Sequence, residues 1–249
     1  MIRLNDFSIG YGGRHLLEHA DTQMRGGTLT ALIGRNGAGK STLLRAIAGL
    51  SKRYTGNIIL NGTDIAYMRP VELARTLAFV TTERTRISHL KCRDVVAAGR
   101  APYTNWIGKM RPEDIAAAEH AMASVGMESY ADRTMDRMSD GECQRIMIAR
   151  ALAQSTPILL LDEPTSFLDM PNRYELCSLL ARLAHDEHKC ILFSTHELDI
   201  ALRLCDYVAL IDRPRLYNMT PAEMIESGHI QRLFSTVSTT DFDIRMFLK

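Results

Sequence analysis

The sequence predicts an α/β fold, a mostly parallel β-sheet covered on both faces, with helices packed against it. Three observations predict it. Short, nearly continuous apolar runs at 28–33, 157–162 and 190–195 have the length and texture of strands buried on both faces, as parallel sheets between helix layers have. Segments of helical composition alternate with these runs, the pattern of strand–helix–strand units. The first run also leads through a glycine-rich loop straight into a helical segment.

In chain order, Ile2, Leu4, Phe7 and Ile9 mark a first strand, broken by Gly10-Tyr11-Gly12-Gly13. The strand at 28–33 and its loop lead into 43–48, which has no helix breaker before Gly49. Residues 56–62 read as a strand with a turn. Pro70 opens a short helix toward Arg75, where its missing N–H is harmless, and 77–81 is a further strand. From about 83 to 153 the texture is helical, with helices expected at 94–98, 112–125 and 139–153 and no strand among them. Pro112, followed by Glu113 and Asp114, fits a first helical turn, where acids meet the positive end of the dipole. We expect a helical subdomain inserted there. Strand texture returns at 157–162, 190–195 and 207–211, with helices at 172–187 and 200–204. Thr220 and Glu223 have capping-box spacing for a late helix. One domain over residues 1–249 is expected.

The chain has 249 residues, 46% apolar and 24% charged, which is ordinary globular composition and enough for a large core. Its net charge of +1 argues against nucleic-acid binding by bulk electrostatics. No apolar run approaches the roughly 20 residues that cross a bilayer, and the N-terminus carries no signal-peptide core. Cys92, Cys143, Cys177, Cys190 and Cys205 form no C-x-x-C pair, so small buried thiols of a reducing compartment are expected. The chain is expected to be cytosolic, held at a membrane only by a partner.

Gly34-Arg35-Asn36-Gly37-Ala38-Gly39-Lys40-Ser41-Thr42 has the form G-x-x-x-x-G-K-[ST] between a strand and a helix, the context a phosphate-binding loop needs. Glycines let successive N–H groups point inward, and the helix N-terminus adds its positive end. Lys40 would meet the β- and γ-phosphates, and the Ser41 hydroxyl would ligate Mg²⁺. Asp162 and Glu163 end a buried strand. Either they cap the next segment, or Asp162 holds Mg²⁺ while Glu163 polarises an attacking water. Ser139 and Glu142 stand at capping-box spacing. Capping leaves Gly141 unexplained, since Gly in a first turn costs about 1 kcal/mol against Ala, and a close ligand approach would account for it. His196 follows a buried strand, and Tyr11 lies between glycines. Each has a structural reading, a strand-end histidine and a packed loop aromatic. Tyr11 could also offer its face to an adenine ring.

Together these residues make the chain resemble the ATP-binding subunits of ABC transporters, over nearly its whole length. The resemblance implies a P-loop NTPase core, an N-terminal antiparallel β portion and a helical signature subdomain. It places Tyr11 at the adenine, 139–142 as a variant of the LSGGQ signature, Asp162 and Glu163 as the Walker B acids, Asp169 in the D-loop of 166–169, and His196 as the switch histidine. It further implies a head-to-tail dimer of two copies, each ATP lying between one copy's Lys40 loop and the other's Ser139, Gly141 and Glu142. Glu163 would be the general base, and ATP and Mg²⁺ the bound ligands.

Two departures stand out. The signature reads Met138-Ser139-Asp140-Gly141-Glu142 where the family usually has Leu-Ser-Gly-Gly-Gln. At the Q-loop, Thr82 stands where Gln is expected. Glu83 is adjacent and offers the oxygen that suits Mg²⁺, so we expect Glu83, with Thr82 the alternative, to take that place. Finally, Gly99-Arg100-Ala101-Pro102-Tyr103, with Trp106-Ile107-Gly108 after it, resembles a segment of the ATPases that serve iron-siderophore, haem and cobalamin uptake. The expected function is to energise uptake of a metal chelate, most plainly a ferric siderophore, from the cytoplasmic face of the inner membrane. Its partners would be an integral-membrane permease and, indirectly, a periplasmic or lipid-anchored binding protein. The rivals are an ABC ATPase without a permease, as in iron–sulfur assembly, and an exporter subunit.

Overall fold

A computed structural model describes residues 1–11, 14–83, 89–105 and 108–234, without the side chains of residues 11, 14 and 234. The Tyr11 ring, Trp106-Ile107 and the 235–249 tail lie outside the described residues.

The described strands are β1 (Ile2–Tyr11), β2 (Arg14–Met24), β3 (Thr28–Gly34), β4 (Tyr54–Leu60), β5 (Thr63–Asp64), β6 (Leu77–Val80), β7 (Ile158–Leu161), β8 (Cys190–Ser194), β9 (Tyr207–Asp212) and β10 (Arg215–Met219). The helices are α1 (Lys40–Ile47), α2 (Pro70–Thr76), α3 (Cys92–Ala97), α4 (Pro112–Ser124), α5 (Asp140–Ala153), α6 (Met170–Asp186), α7 (Leu198–Leu204), α8 (Pro221–Glu226) and α9 (His229–Phe234). The larger sheet has the order β10-β9-β3-β8-β7-β6. Its strands from β9 to β6 run parallel, and β10 returns antiparallel along β9. The smaller sheet, β2-β1-β4-β5, is antiparallel.

The strands of the larger sheet alternate between two cores. Leu29, Ala31, Leu159, Leu161, Ile191 and Phe193 face one, which is shared with α3 to α8. Leu32, Ile158, Leu160 and Leu192 face the other, built from α1 and the small antiparallel sheet. The second face is thus covered by a helix and by the N-terminal antiparallel sheet, the β portion that the resemblance implied. Burying side chains of this size stabilises the fold by about 1.5–3 kcal/mol each, which explains why both faces of these strands are apolar. All five cysteines are buried and none is in a disulfide.

Parallel register sets up the site. Leu161 pairs with Phe193, Leu32 with Ser194 and Gly34 with Ile211. The carboxyl ends of β3, β7, β8 and β9 therefore lie along one edge of the sheet, where open α/β sheets bind ligands.

Candidate functional site

The loop after β3 turns at Gly37 and Gly39, with φ of 74° and 112°, and delivers Lys40 to the first turn of α1. Lys40 is buried, and its Nζ donates to the Gly34 carbonyl at 3.2 Å and to His196 Nδ1 at 3.3 Å. Burial pushes the Lys40 amine below its ordinary range, while the charges of Glu163 and Asp162 oppose the shift. A buried cation in this position favours an anionic ligand.

The end of β7 supplies the two acids. Asp162 Oδ1 accepts from Ser41 Oγ at 3.0 Å and from Ser194 Oγ at 2.7 Å. Ser194 also accepts from the Glu163 backbone N–H at 2.8 Å. Glu163 has φ of 49°, a left-handed conformation that non-glycine residues seldom adopt and that marks functional sites when the surroundings enforce it. His196 Nε2 lies 2.5 Å from Glu163 Oε1. With an ammonium donating to Nδ1, the ring proton belongs on Nε2, where it is donated to the carboxylate.

Residues 36–42, Glu163 and His196, with Leu16 and Arg213, line a cleft of about 740 Å³, while Asp162 and Ser194 are buried and are not among its lining residues. Leu16 and Arg213 were not anticipated. Arg213 follows β9, and its Nε donates to the Ala38 carbonyl at 3.1 Å, which adds a second cation to the rim of the loop. Ser194 was read only as part of a strand, although a serine at the end of an apolar run is the one signal it carries. Thr82 and Glu83 do not line this cleft as described. Glu83 is exposed at the end of β6.

The second constellation forms a separate cleft of about 560 Å³, lined by 139–142, Arg145, 167–169, Asn172 and Leu176. Ser139 and Glu142 form the expected capping box: Ser139 N donates to Glu142 Oε2 at 2.8 Å, and Glu142 N to Ser139 Oγ at 3.3 Å. The Ser139 N–H holds the Glu142 carboxyl below the usual range. At Gly141 an added Cβ would come within 3.1 Å of Leu168 Cδ2, so the leucine would have to yield by a few tenths of an ångström to admit a side chain. Asp169 caps α6, accepting from Asn172 N at 3.2 Å. The two clefts share no lining residue.

The 99–103 segment turns out to be a latch. Arg100 is 7% exposed and Asp114 1%; Nε and NH2 of the arginine both meet Asp114 Oδ1 at 2.9 Å, and NH1 donates to the Ala153 carbonyl at 2.8 Å. Tyr103 Oη donates to the Gln154 carbonyl at 3.1 Å, and Arg75 of α2 donates to the Pro102 carbonyl at 2.8 Å. The segment thus ties the end of the signature helix α5 to α2 and α4.

Ser41 Oγ and Asp162 Oδ1 are hard oxygen donors 3.0 Å apart. They fit Mg²⁺, which needs one or two protein oxygens when phosphates and water supply the rest. Among the described residues no group of three or more His, Cys, Asp or Glu side chains is disposed to hold a metal, and no helix is long and apolar enough to cross a membrane.

Comparison with known proteins matches residues 17–166 to the family model described as ABC transporter. An uncharacterized ABC transporter ATP-binding protein of Methanocaldococcus jannaschii is 41% identical over 85% of this chain and 73% of its own. The achromobactin transport ATP-binding protein of Dickeya dadantii is 35% identical over 94% and 87%. A solved inward-facing transporter described as of the metal-chelate type superposes with a TM-score of 0.82 at 26% identity, over 94% and 88% of the two chains.

Proposed function

Because the chain belongs to the ABC transporter ATP-binding family and is a transport ATPase, we propose that it energises uptake of a ferric siderophore through a separate integral-membrane permease. A binding protein, periplasmic or lipid-anchored, would deliver the chelate, and the chain would sit on the cytoplasmic face of the membrane. The chelate assignment is supported by the achromobactin relative, aligned over 94% of this chain, and by the metal-chelate neighbour. An apolar groove of about 790 Å³, lined by Leu50, Ile65, Met68, Leu73 and Phe79 among others, supports a permease partner, since Leu50 is 68% exposed there.

The mechanism we propose begins at the loop. The N–H groups of 37–42 and the Lys40 ammonium bind the β- and γ-phosphates. Ser41 and Asp162 would hold Mg²⁺, which neutralises phosphate charge when bound. Glu163 accepts the proton of the attacking water as its oxygen bonds to the γ-phosphorus, and the bridging oxygen leaves on ADP. The Nε2–H of His196 orients Glu163 and then the transferred phosphate. The observation that carries the dimer is the separation of the two clefts. Ser139, Gly141 and Glu142 line a different cavity from Lys40 of the same chain, which supports a second copy whose α5 N-terminus faces the γ-phosphate. Tyr11 at the adenine completes the proposed site, and Glu83, with Thr82 the alternative, would have to come in from outside the described cleft to reach the metal.

Co-expression with a candidate chelate permease and its binding protein tests the transport reading. Loaded binding protein is expected to raise ATP hydrolysis of the membrane complex. A chain that is fully active alone and never copurifies with a permease would contradict it and favour an ATPase outside transport.

A further inference from the structure

Arg173 of α6 takes no part in the phosphate chemistry, yet it spans the two clefts. Its Nε donates to the Leu168 carbonyl at 2.6 Å, and NH1 donates to Glu197 Oε1 at 2.7 Å. Leu168 lies in the wall of the signature cleft. Glu197 directly follows His196, which lines the phosphate cleft and meets Glu163. A guanidinium presents its donors in a rigid fork, so one arginine fixes both acceptors relative to each other.

Two further observations make this link tight at both ends. The Glu197 carboxylate is largely withdrawn from water, and Arg173 is its ion-pair partner at 2.7 Å, with Thr165 and His196 giving further support; removing the cation from a buried carboxylate is costly. Burial pushes the Glu197 carboxyl up, and the Arg173 charge is the first influence opposing it. At the other end, Leu168 Cδ2 packs against Gly141 in the first turn of α5, so closely that a Cβ there would meet it at 3.1 Å. The chain of contact therefore runs Glu163, His196, Glu197, Arg173, Leu168, Gly141, with a covalent step at 196–197 and direct contacts elsewhere.

We infer that Arg173 is a positioning residue that makes the His196 turn and the Leu168 segment move as one unit, so that nucleotide in one cleft sets the geometry of the other. The inference rests on the composite site proposed above. In a two-copy assembly each chain's signature cleft serves its partner's nucleotide, and Arg173 then passes the state of one nucleotide to the other. Coupled sites of this kind show as cooperativity in ATP.

The test is Arg173→Gln in the full chain, with hydrolysis measured across ATP concentration, binding of a fluorescent ATP analogue, and thermal melting. Expected are nucleotide affinity within about twofold of the unaltered chain, kcat lower by about tenfold or more, the scale of a slightly misplaced catalytic group, and a Hill coefficient falling toward 1. Arg173→Lys keeps the charge but cannot hold both acceptors at fork geometry, so it should give an intermediate kcat with an unchanged melting temperature, and it supplies the result if Arg173→Gln does not fold. Unchanged kcat and cooperativity in a folded variant would overturn the inference. So would kcat, affinity and melting temperature falling in parallel, the mark of a bond that only stabilises. An unaltered chain that hydrolyses ATP without cooperativity and never dimerises would instead overturn the composite site.

Discussion

Ser194 shows how much of the chemistry rests on one small side chain. Its hydroxyl donates to Asp162 and accepts from the N–H of Glu163, and so fixes both acids at the end of β7, including the left-handed backbone of Glu163. Ser194→Ala strands the Glu163 N–H and should cost about 1–3 kcal/mol of stability, the penalty for an unsatisfied buried group, together with a clear fall in kcat; urea unfolding and steady-state hydrolysis measure the two. Lys40 makes a pH prediction. Its amine is shifted down by burial, and bound phosphates would shift it up, so ATP binding should take up a proton in the alkaline range. ATP affinity should therefore fall with rising pH before an ordinary lysine would titrate, and titration calorimetry in buffers of different ionisation enthalpy reads the proton directly. The same lowered pKa means the folded chain binds fewer protons than the unfolded one between the two values, so this group's contribution to stability rises with pH through that window. Lys40, Asp162, Glu163 and His196 were legible because each follows a buried strand or sits in a spaced motif. Arg213 and Ser194 were not. Arg213 meets Ala38 across 175 positions, and no local pattern marks such a meeting.

At the scale of elements, the latch around Arg100 explains why the helical region keeps its place. One guanidinium joins Asp114 of α4 to the last carbonyl of α5 and stacks on Tyr103, 3.9 Å from the ring centroid. Arg100→Leu leaves the buried Asp114 its bond from the Arg111 N–H but not its arginine ion pair, and should lower the melting temperature by several degrees. Arg100→Leu with Asp114→Leu should recover much of that loss, because removing both charges relieves the unpaired one. Glu142→Gln should retain hydrolysis, since glutamine closes a capping box as well as glutamate. It should also remove the acid sensitivity of the box: the Glu142 carboxyl is held low, so its contribution persists above the usual carboxylate range and is lost as pH falls through the lowered value. Helices α4, α5 and α8 were legible from Pro, acids and capping pairs at their starts. Strand β2 was not, because register shifts against β1 break its alternation. Strand β10 and helix α9 are five and six residues long, too short for a period to show.

For the whole molecule, the parallel sheet gathers the phosphate loop, the acids and His196 at one edge, while α5 carries the signature to a cleft of its own. The family resemblance anticipated this division, but the sequence alone could not show that the clefts are disjoint, since that depends on how α5 and α6 pack. Lys40→Ala should abolish ATP binding. Gly141→Asp should spare binding to the single chain and block hydrolysis, because a side chain there meets Leu168 and adds charge where a phosphate would dock. The most direct measurement is light scattering of the Glu163→Gln chain, in which ATP binds but is not hydrolysed. The mass should double on adding ATP with Mg²⁺ and return to that of a single chain when Ser139→Arg is added. A chain that remains single at saturating ATP, or a dimer indifferent to Ser139→Arg, would contradict the composite site.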